Sequence, residues 1–266
     1  MPLRTTCLAV TASLAATTAH AQLVVGNNQT VSTIYHVDVD TGAATALYTG
    51  GAEAKCSGLA YNRVTNTLYW NYWSQLYSSP FSLAGLTPTL LGTMTFEGSA
   101  EVFSGLAFYK GKLLGTQIVT GSVGIYEIDL ETLEATLFAW STSAVSFSGI
   151  DVDATSSLAY GVSNPFAGRG FYEIDLRAQT ATFLSPYPQG EADFSGVAAH
   201  NGLAFLVTRY PQWPIRVYEV ETGTQVGTLP SPFTAYGSFT AGATYVPERP
   251  VSLKPESWGA VKGRYR

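Results

Sequence analysis

Acids and aromatics lying between apolar runs are the residues of this chain with chemistry to offer. Glu53, Glu101 and Asp193 each stand three to five residues ahead of a glycine that opens such a run, Gly58, Gly105 and Gly196. Acids at matching positions of a repeat can converge, and two carboxyl groups held across a glycosidic bond can hydrolyse it, one as acid and the other as base or nucleophile. These three are therefore the candidates for glycoside hydrolysis. The runs themselves hold no acid except Asp151. Rings beside charged groups are more numerous: Trp73, then Phe166 with Arg169, then Arg209, Tyr210 and Trp213, with Glu191, Tyr187 and Tyr236 in other loops. Rings supply stacking area and polar tips supply orientation, so this set suits recognition of a glycan or of an extracellular protein or peptide. Non-catalytic binding is the reading adopted. Hydrolysis by the carboxylates, or a structural role in an extracellular assembly, are the alternatives.

Metal and nucleophile chemistry find less support. Asp38-Val39-Asp40-Thr41-Gly42 opens like a calcium loop but has Thr49 at the twelfth position, where a bidentate acid is required. Because Asp129, Asp175 and Glu221 recur near the same repeat position, the segment reads as a hairpin turn, and Asp151-Val152-Asp153 is read the same way. His36 and His200 have no histidine or cysteine at ligand spacing, so no metal and no cofactor are expected. Cys56 occupies a slot that Phe103, Phe147 and Phe194 fill in other repeats, which points to a buried apolar residue.

The elements that must position these residues repeat. CSGLAY at Cys56–Tyr61, FSGLAF at Phe103–Phe108, FSGIDV at Phe147–Val152, FSGVAA at Phe194–Ala199 and a degenerate FTAGATYV at Phe239–Val246 place their glycines 47, 44, 47 and 46 residues apart. A second marker, IYHVDV, IYEIDL, FYEIDL and VYEVET, keeps the same beat at Ile34–Val39, Ile125–Leu130, Phe171–Leu176 and Val217–Thr222. In the second marker period-two alternation puts Tyr126, Ile128 and Leu130 on one face and Glu127 and Asp129 on the other, every repeat segment reads as a strand, and a period in the mid-forties built of strands is that of propeller blades. The expected fold is all-β, a five-bladed β-propeller with blades at 22–48 plus 239–246, 56–93, 103–140, 147–185 and 194–230. The N-terminal blade lacks its first strand and the C-terminus carries a lone copy of it. Pairing of the two seals a ring that would otherwise expose sheet edges there.

The ends read differently. Residues 1–21 place Arg4 before a modest apolar stretch and finish in Ala19-His20-Ala21, the pattern of a signal peptide cleaved after Ala21. Cleavage leaves 13 basic against 19 acidic residues, a net charge of −6, so nucleic acid is not an expected partner. No later run approaches the length of a membrane span. Residues 22–250 form the propeller and 251–266 a basic tail, VSLKPESWGAVKGRYR, suited to sorting or surface attachment. A secreted, extracellular or periplasmic monomer is expected.

The units "SGLAY…TNTLYW…LYSS" and "SGIDVDATSSLAYGVSN…FYEIDL…QTATFL" resemble secreted bacterial propeller-repeat proteins whose units read "GLAYDPxTGTLYGV…LYxIDxxTGxATLVG". The resemblance covers Leu23 to about Pro250, and its turns depart at Asn62–Asn66 and at Tyr109-Lys110-Gly111. It implies a ligand site at the channel mouth, on the face made by the loops from strand four to the next strand one and from strand two to strand three. The candidate residues above fall in those loops.

Overall fold

The computed structural model describes residues 22–117, 124–140, 145–164, 168–237 and 240–247. The signal-peptide and tail expectations lie outside these residues, as does Phe166. The described residues form five sheets, antiparallel but for one short parallel pairing, and their regular structure is almost entirely strand. Blade two runs through Leu59–Asn62, Thr67–Tyr72, Gln75–Pro80 and Thr89–Thr93. Blade three uses Gly105–Tyr109, Lys112–Thr116, Gly124–Ile128 and Glu134–Trp140, and blade four Gly149–Val152, Ala159–Ser163, Gly170–Asp175 and Thr180–Ser185. Phe194–His200, Leu203–Thr208, Ile215–Glu219 and Thr224–Leu229 are blade five. Blade one is the composite: Gln22–Asn27, Ser32–Asp38 and Ala44–Gly50 take Ala241–Val246 as their inner strand. That strand pairs antiparallel with the first, from Gln22↔Val246 to Asn27↔Ala241, closing the ring as its sequence implied.

Period-two alternation gives each blade two apolar faces, and each face meets a neighbouring blade. The core accordingly divides into five clusters, one per blade interface. Third-to-outer turns are built alike: Asp38 Oδ1 accepts the N–H groups of Asp40 and Thr41, Asp129 Oδ1 those of Glu131 and Thr132, and Asp175 Oδ1 those of Arg177 and Ala178. The calcium-like segment is thus a hairpin turn.

The repeated aromatic, hydroxyl and glycine each have a task. Phe103, Phe147 and Phe194 are buried wedges, and neighbouring blades bond to their backbone: Asn71 Nδ2 donates to Phe103 O at 2.6 Å and Asn164 Nδ2 to Phe194 O at 2.9 Å. The serines reach the same way, Ser195 Oγ accepting Ala241 N–H at 2.7 Å. The glycines let the inner strands touch. A methyl group at Gly58 would lie 2.7 Å from Leu106 N, at Gly105 2.7 Å from Gly149 Cα, at Gly149 2.0 Å from Ser195 O, at Gly196 3.1 Å from Gly242 C and at Gly242 2.9 Å from Gly58 C. These contacts run once around the ring, so five glycines pinch the channel where the inner strands begin.

Wedge size is matched locally. Phe103 fills the space above Gly115 and Phe147 that above Gly161, where a methyl would lie 2.7 and 2.6 Å from the rings. In blade two the corresponding position is Trp70, and the wedge is Cys56; both are fully buried in one cluster. Burial pushes the Cys56 thiol far up.

One element is new relative to the sequence reading. Thr95–Phe96 and Ser99–Ala100 form a small hairpin that joins the outer strand of blade three, with Thr95 parallel to Glu134. Thr95 Oγ1 donates to the Glu134 carboxylate, and Gly98 N donates to its other oxygen at 3.3 Å. The loop leaving blade two thereby covers an edge of its neighbour.

Candidate functional site

Blade five and its connection to blade one gather most of the aromatic candidates. Asp193, with φ +56°, precedes the inner strand; Arg209 and Tyr210 follow the second; the Trp213 backbone N–H donates to Tyr210 O at 3.3 Å. Asp193 Oδ2 accepts both Arg209 Nη2 and Tyr210 Oη at 2.9 Å. Around this hinge the Tyr210 ring lies 4.5 Å from Trp213 and 5.0 Å from Tyr236, both tilted. The Arg209 guanidinium sits 4.8 Å from the centre of Tyr236 and 5.2 Å from that of Tyr210. Burial opposes the charge on Arg209, but Asp193 and Tyr210 outweigh it and raise its pKa; burial, Tyr236 and Asp193 together raise that of Tyr210. The result is a rigid half-buried arginine flanked by rings, with Tyr236 49% exposed.

The remaining candidates are elsewhere or already engaged. Glu191, in the connection from blade four, forms a two-pronged pair with Arg216 of blade five, through Nε at 3.1 Å and through Nη2. Arg169 Nε donates to Asn164 O at 3.1 Å. Trp73 belongs to blade two, 48% exposed at φ +53°, with its ring against Tyr72. Tyr187 is not a surface group: it is buried on Phe194 with its hydroxyl on Ser163 O at 2.8 Å. Glu53 accepts Tyr48 Oη and Gly51 N, both at 3.1 Å, and backbone N–H donors hold its carboxyl below the usual range. Glu101 accepts Val102 N at 3.1 Å. Among the described residues no two of Glu53, Glu101 and Asp193 share a hydrogen-bond partner.

Beyond the glycine pinch, the other end of the channel opens into a cavity of about 330 Å³. Turns between inner and second strands rim it, with Arg63 and Lys110 exposed there, and Asp151 stands inside it. Asp151 lies on the inner strand, where its apolar run places it, and not in the turn with Asp153: it is 5% exposed, with Oδ2 accepting Ala199 N–H from blade five at 2.9 Å. Burial lifts its pKa well above the ordinary carboxylate value, against N–H donation from Ala199, Val152 and Tyr245. Only Asp153 caps the turn, through Thr155 N at 2.8 Å. The signal was present in the sequence: Asp151 interrupts a series of Ala60, Ala107, Ala198 and Thr244, and Arg63 and Lys110 sit in the two turns that depart from the repeat.

Comparison with known proteins adds only architecture. No family model matches the chain, and no curated protein does. A chain of the crystal structure of a nidogen/laminin complex superposes with a TM-score of 0.56 at 12% identity, covering 85% of this chain and 98% of that one. This protein is a five-bladed β-propeller. The propeller is also similar to TolB from Acinetobacter baumannii (TM-score 0.49, 13% identity, 79% of this chain and 53% of that). Hydrazine synthase of Kuenenia stuttgartiensis follows at 0.43 and 11%, covering 65% and 48%. At these identities the likeness is one of fold.

Proposed function

We propose that this propeller is a non-catalytic recognition domain of a secreted or periplasmic protein, which docks an extracellular protein or peptide on the Arg209–Tyr210–Trp213–Tyr236 surface. The observation that carries this reading is the gathering of three rings around one arginine, with Asp193 holding the arginine and Tyr210. Tyrosine, tryptophan and arginine contribute most where interfaces concentrate their energy, because each brings large area at small loss of conformational freedom. The arginine is already fixed, so a partner's carboxylate or carbonyl meets a donor that needs no reordering. The separate engagements of Glu53, Glu101 and Asp193 support binding over hydrolysis, which uses a facing pair.

The test is a peptide and glycan array probed with the full chain, followed by titration of each hit. Trp213→Ala and Tyr236→Ala should each weaken a peptide hit by at least about tenfold, and Asp193→Asn should weaken it by releasing Arg209. Binding confined to glycans would move the ligand class. Release of sugar from a polysaccharide panel, abolished by Glu101→Gln or Asp193→Asn, would overturn the reading in favour of hydrolysis. Sequencing the N-terminus of the exported protein tests secretion, with Gln22 expected as the first residue, and light scattering tests the monomer.

A further inference from the structure

The cavity at the other mouth stands apart from that surface and has a chemistry of its own. Behind it the five inner-strand glycines bring neighbouring inner strands into close contact around the ring and narrow the channel. At one level of the inner strands four repeats place Ala60, Ala107, Ala198 and Thr244, and the fourth blade alone places a carboxyl, Asp151. A carboxyl in such a position is costly unless a donor or a cation meets it. Backbone N–H groups of Ala199, Val152 and Tyr245 approach it, but among the described residues no basic side chain does, and the charge that acts on it, Asp153, has the same sign. The carboxyl is thus met by backbone donors alone, and a cation entering the cavity is the partner that would favour its ionised form.

Its rim carries the opposite charge. Arg63 reaches across from blade two to donate Nη1 to Ala154 O of blade four at 3.2 Å, leaving its remaining N–H donors for other partners. Lys110 of blade three holds its ammonium 4.9 Å from the Tyr109 ring, and both cations are exposed. About 330 Å³ is the size of a small-molecule site.

We propose that this cavity binds a small zwitterion, a free amino acid, with its ammonium group inserted on Asp151 and its carboxylate held at the rim by Arg63 and Lys110. Thr244, buried at the same level of blade one's inner strand with blade five between, also lines the cavity. The vertical order of charges excludes a plain anion, which would meet Asp151, and disfavours a plain amine, which would leave the rim unused. Chain length then selects between α-amino acids, whose charges are close, and ω-amino acids, whose charges are separated by the depth of the pocket.

The experiment is calorimetric titration of the full chain with individual α-amino acids, with γ-aminobutyrate and longer ω-amino acids, with their N-acetyl derivatives and with the corresponding amines. At least one zwitterion should bind, its N-acetyl derivative at least about tenfold more weakly. Asp151→Asn, which keeps an acceptor for Ala199 N–H, should abolish binding. The double variant Arg63→Ala, Lys110→Ala lies on the exposed rim, so the fold tolerates it even if Asp151→Asn does not fold. It should weaken the zwitterion and leave the amine's weaker binding unchanged. The proposal is overturned if no zwitterion binds at millimolar concentration, if N-acetylation has no effect, if folded Asp151→Asn binds as well as wild type, or if calcium alone occupies the site.

Discussion

Substituting Gly149 by alanine tests whether the glycine ring, and not merely turn-forming habit, accounts for the repeated glycine. The added methyl would lie 2.0 Å from Ser195 O and 2.8 Å from Ser195 C. That is more than 1 Å inside an ordinary carbon–oxygen contact of about 3.3 Å. Both partners are backbone, so no rotamer relieves the clash and the inner strands of blades four and five must part. Overpacking of this kind costs about 1–3 kcal/mol, and a backbone-to-backbone overlap falls at or above the upper end. In a domain of this size about 3 kcal/mol lowers Tm by roughly 6–12 °C. Gly196 is the internal control, since its methyl would meet Ala241 O, Ala243 N and Gly242 C, all at 3.1 Å. Neither glycine has a positive φ, so alanine recovers about 0.4–1 kcal/mol by restricting the unfolded chain. Gly196→Ala should therefore stay within about 1 kcal/mol of wild type. Calorimetric melts of the three proteins decide the matter. Equal melting of Gly149→Ala and Gly196→Ala would refute the view that backbone contact at this ring sets the residue.

Cys56→Phe, which restores the repeat's usual wedge, should destabilise by about 1–3 kcal/mol because Trp70 already fills that space. Adding Trp70→Leu, the pairing found at Phe194 and Leu206, should recover part of the loss in urea titrations; a harmless single substitution would show that the two side chains do not compete. Asp151 makes stability pH-dependent with a definite sign. Its folded pKa is raised, so its contribution is complete below the unfolded value of about 3.9 and is lost as pH rises through the folded value. Urea midpoints of wild type should therefore fall relative to Asp151→Asn across that window, and parallel pH profiles would contradict the burial argument. Removing residues 239–246 strips the inner strand from blade one and exposes the edge of Gln22–Asn27, so light scattering should report aggregation or the melt should lose cooperativity. A truncated monomer with unchanged Tm would show that this strand does not seal the ring.

What the linear sequence determined by itself was the architecture. Glycine spacing, period-two alternation and turn aspartates are local consequences of strand geometry, so strand order, blade number and even the closing strand could be read without coordinates. The same locality explains why Cys56 was placed in the interior from its alignment with Phe103, Phe147 and Phe194 alone. Tertiary structure decided everything that depends on which residues of different blades meet. Asp193, Arg209, Tyr210, Trp213 and Tyr236 come together because two loops of blade five and the connection to blade one share an edge, whereas Trp73 stays with Tyr72 in blade two. Asp151 looked like a turn residue because its neighbour Asp153 is one, and two residues along a strand suffice to turn a capping aspartate into a buried carboxyl. The hairpin at Thr95–Ala100 was hidden because its register partner, Glu134, lies a full blade away in sequence. Periodicity encodes the repeat, but a site forms where repeats differ. The close approach of inner strands at the glycines, and the placing of Asp151 and the Arg63–Lys110 rim around one cavity, exist only once five strands have been brought to a common axis.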